Sequence, residues 1–340
     1  MKLPFIYGIS FLLRLYCIVA LRAPRPADAL LKLKKESWDL IIAHDVLTVP
    51  LARALKPKFG VLVDLHEYAP RQDEHSSYFR RVVAPYFRWI LRRHVSKCAA
   101  VTTVGQGIVD EYQSSFNIPA TLVTNATPYR DWKPQATSEP IRLVHSGIAA
   151  AHRKLEIIIE GVIQSKANIT LDLFLMPSDP EYLESLKQLS CNDERIIFNP
   201  PVPYSELLCT LHTFDVGISM IAPTTFNLEW CLPNKFFDFI QARLAVVTGP
   251  SPEMARITNE HGFGVVTKDF TSESLAQALD LMTTEQIDAY KQASDESAEL
   301  LSGERQAEIW ASLVHELLAA PPRRSRASGI PAQTSHSISS

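Results

Sequence analysis

The sequence predicts an α/β protein built from two Rossmann-like domains in tandem. Short apolar runs alternate with helix-length segments along most of the chain, the pattern of parallel strands covered by helices on both faces. The alternation breaks once, at a polar, proline-marked stretch over 128–140, and then restarts. The length of 340 residues exceeds one average domain.

In the first half, apolar runs over 38–43, 59–65, 99–104 and 120–124 read as strands. They end at His44-Asp45, His66-Glu67, Gly105 and Asn125. Helices are expected over 46–55, 78–95 and from Gly107 to Ser115. In the second half the expected strands are 141–145, 170–176, 195–198, 215–219, 244–248 and 264–266. The helices between and after them are 154–165, 180–189, 204–212, 234–242, 252–260 and 272–282. Residues 303–319 read as an amphipathic closing helix with Trp310 on its apolar side, and 321–340, rich in Pro, Ser and Arg, as a disordered tail. The expected domains are therefore 1–137, 138–302, the closing helix 303–320 and the tail 321–340. The apolar segment over 3–21 carries Arg14 at its centre, which fits a buried or amphipathic domain helix; a membrane-surface helix and a signal or anchor stay open.

Composition excludes several classes. Hydrophobic content of 46% and charged content of 21% leave no room for a mainly disordered chain or a coiled coil. A net charge of −3 gives no electrostatic case for nucleic acid. Five dispersed cysteines without a C-x-x-C argue against a disulfide scaffold or zinc site and suit a cytoplasmic location. Residues 75–109 hold no acid but six cations (Arg80, Arg81, Arg88, Arg92, Arg93, Lys97) interleaved with aromatics. Such a helix can rest peripherally on an anionic inner-membrane face; a solvated face packed on one side reads equally from the same residues.

In open parallel sheets ligands bind beyond the carboxyl ends of the strands. The segment from Asn227 to Ala242 is the most suggestive: a loop carrying Leu232-Pro233-Asn234 opens a helix with Lys235 and Asp238 in its first turns. Free amides at a helix start hold anions, and a carboxylate one turn in can accept from a ribose diol. An ordinary capped helix with a solvated Lys/Asp face accounts for the same spacing.

Cys231-Leu-Pro-Asn-Lys-Phe-Phe-Asp-Phe239 together with Ala245-Val-Val-Thr248 and Pro252-Glu-Met254 closely resembles the donor-binding region of family 4 glycosyltransferases of the GT-B fold. The runs from Leu40 to Pro50, Val63 to Tyr68, Val104 to Tyr112 and Val123 to Pro128 match the same family in order, so the resemblance spans about residues 30–318. It implies retaining transfer of a sugar from a nucleotide-sugar donor to a glycan or lipid-linked acceptor, as in surface polysaccharide or glycolipid synthesis. The nucleotide sugar is a substrate, and no cofactor is implied. By motif position the resemblance assigns Gly147, Pro233, Asn234, Lys235, Asp238 and Glu253 to the donor. It makes Arg153 and Lys154 the cations on the leaving diphosphate, sets His66 beside the donor sugar, and puts Asp45 and Glu67 on the acceptor side. The chain has no D-x-D triplet, which fits catalysis without a metal.

Three places depart from the family pattern. Trp230 stands where the first acid of the E-x7-E signature belongs, with Glu229 one place off; Asp238 takes the second. Ile148 occupies the usual arginine place. The first domain reaches its His44-Asp45 strand after only 43 residues, as if its first β/α units were missing. An alternative reading is therefore a catalytically degenerate GT-B protein that binds a nucleotide or a partner enzyme.

Overall fold

A computed structural model describes residues 32–322 together with residue 30. The expectations for the apolar segment over 3–21 and for the tail beyond 322 fall outside the described residues.

Two all-parallel sheets organise the chain. The N-terminal sheet holds β1 (Leu40–His44), β2 (Gly60–Asp64), β3 (Ala100–Thr103) and β4 (Thr121–Leu122), in that spatial order. No described strand pairs with the outer edge of β1. Helices α1 (Val49–Ala54), α2 (Ala84–Arg93) and α3 (Gln106–Phe116) connect the strands. Pro85 does not interrupt its helix; it falls in the first turn of α2, where a π-helical turn, Phe79–Val83, gives way to α-helix and a missing N–H is tolerated. The aromatic residues of this segment are committed to packing: Phe79 and Phe87 are buried, and Tyr86 stacks on half-buried Trp89. Of the residues that would enter a leaflet, Tyr78 is the one large exposed side chain. No helix among the described residues is long and apolar enough to cross a membrane.

The C-terminal sheet contains β5 (Ile141–Ile148), β6 (Ile169–Met176), β7 (Ile196–Asn199), β8 (Val216–Ser219), β9 (Ala245–Thr248) and β10 (Gly264–Val266). Their spatial order is β10-β9-β8-β5-β6-β7. Read from β5 outward, the order reverses between β5 and β8, the point at which doubly wound sheets bind ligands. The connecting helices are α4 (Glu156–Gln164), α5 (Pro180–Leu189), α6 (Tyr204–Leu211), α7 (Phe226–Glu229), α8 (Asn234–Gln241), α9 (Pro252–His261) and α10 (Ser272–Leu281). Helix α11 (Thr284–Ala298), capped by a Thr283/Gln286 box, extends this lobe beyond the helices read from the sequence. Alternate residues of β5 serve opposite faces: Leu143 packs with Ile158, Ile159 and Leu275, Val144 with Phe236, Phe239 and Phe263.

Two segments tie the lobes together. Helix α12 (Gly303–Ala319) runs back across the junction; Gln306 accepts from the Thr124 amide at 2.9 Å, and Trp310 stacks on His44. The stretch around α7 follows β8 yet packs into the N-terminal core through Phe226 and Trp230. Asn227 accepts from the Tyr68 amide at 2.9 Å, and Arg71 lies over the Phe226 ring. A Cβ on Gly107 would lie 2.0 Å from the Trp230 ring. Alanine is the better helix former by about 1 kcal/mol, so a loss at this position reports the contact alone. Gly107→Ala is expected to cost about 1–3 kcal/mol through overpacking. A lowered urea midpoint at unchanged slope checks it, and an equal or higher midpoint refutes the contact's importance.

Candidate functional site

The site begins where β5 and β8 part. Strand β5 pairs with β6 along its whole length but with β8 only at Leu143 and Val144. Beyond that point the two strand ends separate and a crevice opens. His145 spans the split: its Nδ1 lies 2.8 Å from the Ile218 carbonyl oxygen. That acceptor assigns the ring proton to Nδ1, leaving the Nε2 lone pair to face Lys235 Nζ at 3.1 Å. Burial, with the Lys235 charge second, holds the imidazole well below its ordinary pKa, so it is neutral. His145 was not anticipated from the sequence; a histidine at a strand end two residues before a glycine is the signal that marks it.

A cavity of about 400 Å³ occupies the crevice. Ser146, Gly147 and Arg153 line it from the β5 side and Pro233, Asn234, Lys235 and Asp238 from the start of α8. Met176, Phe174, Pro201 and Val202 give it an apolar wall. No side chain caps α8; the Phe236 amide donates to the Pro233 carbonyl at 3.0 Å, which leaves the Asn234 and Lys235 amides at the helix start to the cavity. Gly147 makes room for the lysine: a Cβ there would meet Lys235 Nζ at 2.6 Å. Desolvation, and secondly the Arg153 charge, lower the Lys235 ammonium to about 7. Its charge is complete below that pH and lost above it. Binding of a diphosphate at this end of α8 should therefore weaken several-fold from pH 6 to pH 8.5, and Lys235→Met should flatten the profile. Titration of UDP by calorimetry across that range checks both; an unaltered slope in the variant excludes Lys235.

Asp238 is buried at 2% exposure and its carboxyl is raised by desolvation. Its Oδ1 accepts from Thr127 Oγ1 at 2.6 Å and from the Tyr204 hydroxyl at 3.4 Å. Both donors converge on one oxygen, so Oδ2 is left for a ligand. Thr127 sits in the segment between the sheets, so Asp238 is held by elements far apart in sequence.

A second cavity, about 540 Å³, lies between the lobes. Glu67, Asp73, His75 and Asn125 line it from the N-terminal lobe; Thr225, Asn227 and Cys231 line it from the other. Arg153, Pro233 and Asn234 border both cavities, which therefore adjoin. Burial, then the Asp45 charge, raises the Glu67 carboxyl. Burial also pushes the Cys231 thiol up to about 11, which makes it a poor nucleophile at neutral pH.

The sequence-predicted residues divide between these cavities and their surroundings. Gly147, Arg153, Pro233, Asn234, Lys235, Asp238 and Glu67 line the cavities. Lys154 does not: it points to Glu156 at 3.5 Å, while Arg153 has no carboxylate partner among the described residues. Glu253 is buried against Arg256 at 3.3 Å, outside both linings. His66 turns to Asp64, with Nε2 3.2 Å from Oδ2, and Asp45 lines neither cavity. Trp230, in the place of the first family acid, is spent on the Gly107 contact.

The family model of the glycosyl transferase 4-like domain matches residues 4–126. Among solved structures, a sucrose-phosphate synthase from Thermosynechococcus elongatus superposes with a TM-score of 0.67 at 14% identity, over 83% of this chain and 74% of that one. Anabaena HepE in complex with UDP-glucose gives 0.67 at 16% identity, over 87% and 84% of the two chains. A glycosyltransferase from Rickettsia africae gives 0.67 at 12% identity, over 94% and 83%. No curated protein matches the sequence. The strand order, the crevice at its reversal and these likenesses agree: the chain has the two-lobed GT-B fold of the glycosyltransferases, and part of its first half is similar to the glycosyl transferase 4-like domain.

Proposed function

We propose that this chain transfers a sugar, with retention, from a nucleotide-sugar donor in the β5/β8 crevice to a glycan or lipid-linked acceptor in the interlobe cavity. The domain limits that go with this reading are 1–137 for the acceptor side and 138–302 for the donor side. The observation that carries it is the meeting of Arg153 and the start of α8 where the two cavities adjoin, with Lys235 beside them in the first cavity. A diphosphate set there has the ribose within reach of Asp238 and the base along the Met176 and Pro201 wall. Its bond to the sugar then faces the acceptor cavity. Charge grows on the leaving diphosphate as that bond breaks, and fixed cations stabilise it most in the transition state. Those cations do the work a divalent metal does elsewhere. UDP-glucose in HepE, a neighbour of the same fold, favours a uridine donor.

The test is a panel of UDP-, GDP- and dTDP-sugars, followed first by calorimetry and then by release of nucleoside diphosphate with candidate acceptors. NMR of the product's anomeric coupling decides retention; an inverted product refutes that part. Trp230 in the place of the missing acid favours a second reading, a GT-B protein that binds nucleotide without turnover. Tight binding with no transfer or hydrolysis across the panel would select it.

A further inference from the structure

We propose that His44, Asp64 and His66 form a binding site for one zinc-class divalent transition-metal ion. His44 and Asp64 are register partners at the ends of β1 and β2, so their side chains rise on the same face of the sheet. His66 follows two residues later, in a left-handed backbone conformation with φ 52°, and its carbonyl accepts from Thr103 Oγ1 at 2.7 Å.

All three groups aim at one point. His44 Nδ1 lies 3.5 Å and His66 Nε2 3.2 Å from the same oxygen, Asp64 Oδ2, and the three atoms fall within 4.8 Å of one another. Ligands about 2.1 Å from a tetrahedral ion stand about 3.4 Å apart, which both carboxylate–imidazole distances match closely. The other carboxylate oxygen, Oδ1, accepts from Thr102 Oγ1 at 3.0 Å and so leaves Oδ2 free to coordinate. Outer hydrogen bonds of this kind orient metal ligands. The His44 ring stacks with those of both His66 and Trp310, at 5.8 and 6.3 Å between centroids. Its side chain is 63% exposed, so a fourth, solvent position is open. Two imidazoles and one carboxylate suit Zn²⁺, Co²⁺ or Ni²⁺ rather than Mg²⁺ or Ca²⁺. None of the three lines either cavity, which separates this ion from the donor diphosphate. Bound here, it would pin β1 to β2 beneath Trp310 of the closing helix.

The full chain, stripped with chelator, is titrated with Co²⁺ and followed by visible absorption, with Zn²⁺ as competitor. One equivalent giving the bands of a four-coordinate ion, displaced by Zn²⁺, is expected for the wild type. His44→Ala, exposed enough to leave the fold alone, should abolish that uptake, and Asp64→Asn should do the same. Thr102→Val should weaken it about tenfold. Zn²⁺ should raise the melting temperature of the wild type but not of His44→Ala. The assignment is overturned by no uptake, by losses under about tenfold in both His44→Ala and His66→Ala, or by a thiolate charge-transfer band, which would place the ion on cysteine.

Discussion

Arg153→Ala is expected to lower turnover by about 100- to 1,000-fold, the scale for deleting one fixed donor to developing charge, while Lys154→Ala stays within a few-fold of wild type. The two cations are adjacent, and the family resemblance alone does not separate them. The backbone does. A 3-10 turn, Ala151–Arg153, ends with Lys154 in the left-handed region at φ 53°, and this reversal sends the neighbouring side chains in different directions. Arg153 reaches the seam of the two cavities; Lys154 meets Glu156, whose second oxygen accepts from the Tyr182 hydroxyl at 2.5 Å. An exposed pair of that kind contributes little. The measurement is kcat at saturating donor, with KM reported beside it. In the proposed reaction the Arg153 interaction strengthens as the diphosphate departs, so kcat should fall more than KM rises. A larger loss in Lys154→Ala than in Arg153→Ala would reverse the assignment.

Asp238→Ala should weaken nucleotide binding by about 1–3 kcal/mol, or about 5- to 150-fold in Kd. The carboxylate is buried, and Thr127 and Tyr204 occupy one of its oxygens. In the proposed donor pose its removal leaves ribose hydroxyls without that acceptor. Asp238→Asn keeps the shape and the Thr127 bond but presents an amide to the ribose, so most of the loss should remain. Calorimetry with UDP checks the pair, with a thermal melt of each variant to separate lost contact from lost fold. Wild-type affinity in both variants would remove Asp238 from the site.

Much of the architecture was legible because strands in a doubly wound sheet are buried on both faces. Ala245–Thr248 and Gly60–Asp64 therefore read as unbroken apolar runs, and the polar residues that end them mark the binding edge. The opening of α8 stood out for a different reason: Pro233, Asn234, Lys235 and Asp238 lie within six residues of one another and line one cavity. Surroundings set by a distant partner were not legible: Thr127 holds Asp238 and Lys235 faces His145, pairs about a hundred residues apart. The directions of Glu253, which pairs with Arg256, and of His66, which faces Asp64, were also not readable from spacing.

The sequence by itself determined the two alternating α/β halves, the break between them and the helix start that offers amides and charge. These follow from periodicity and local chemistry, which a chain carries in its order. Only the tertiary structure decided that Phe226 and Trp230 belong to the N-terminal core, that Thr127 holds Asp238 and that His145 bridges β5 to β8. It also decided which of two neighbouring cations faces the cleft. Each of these depends on the direction of a side chain across tens to more than a hundred residues of intervening chain, and direction is fixed by packing, where spacing along the sequence has no say.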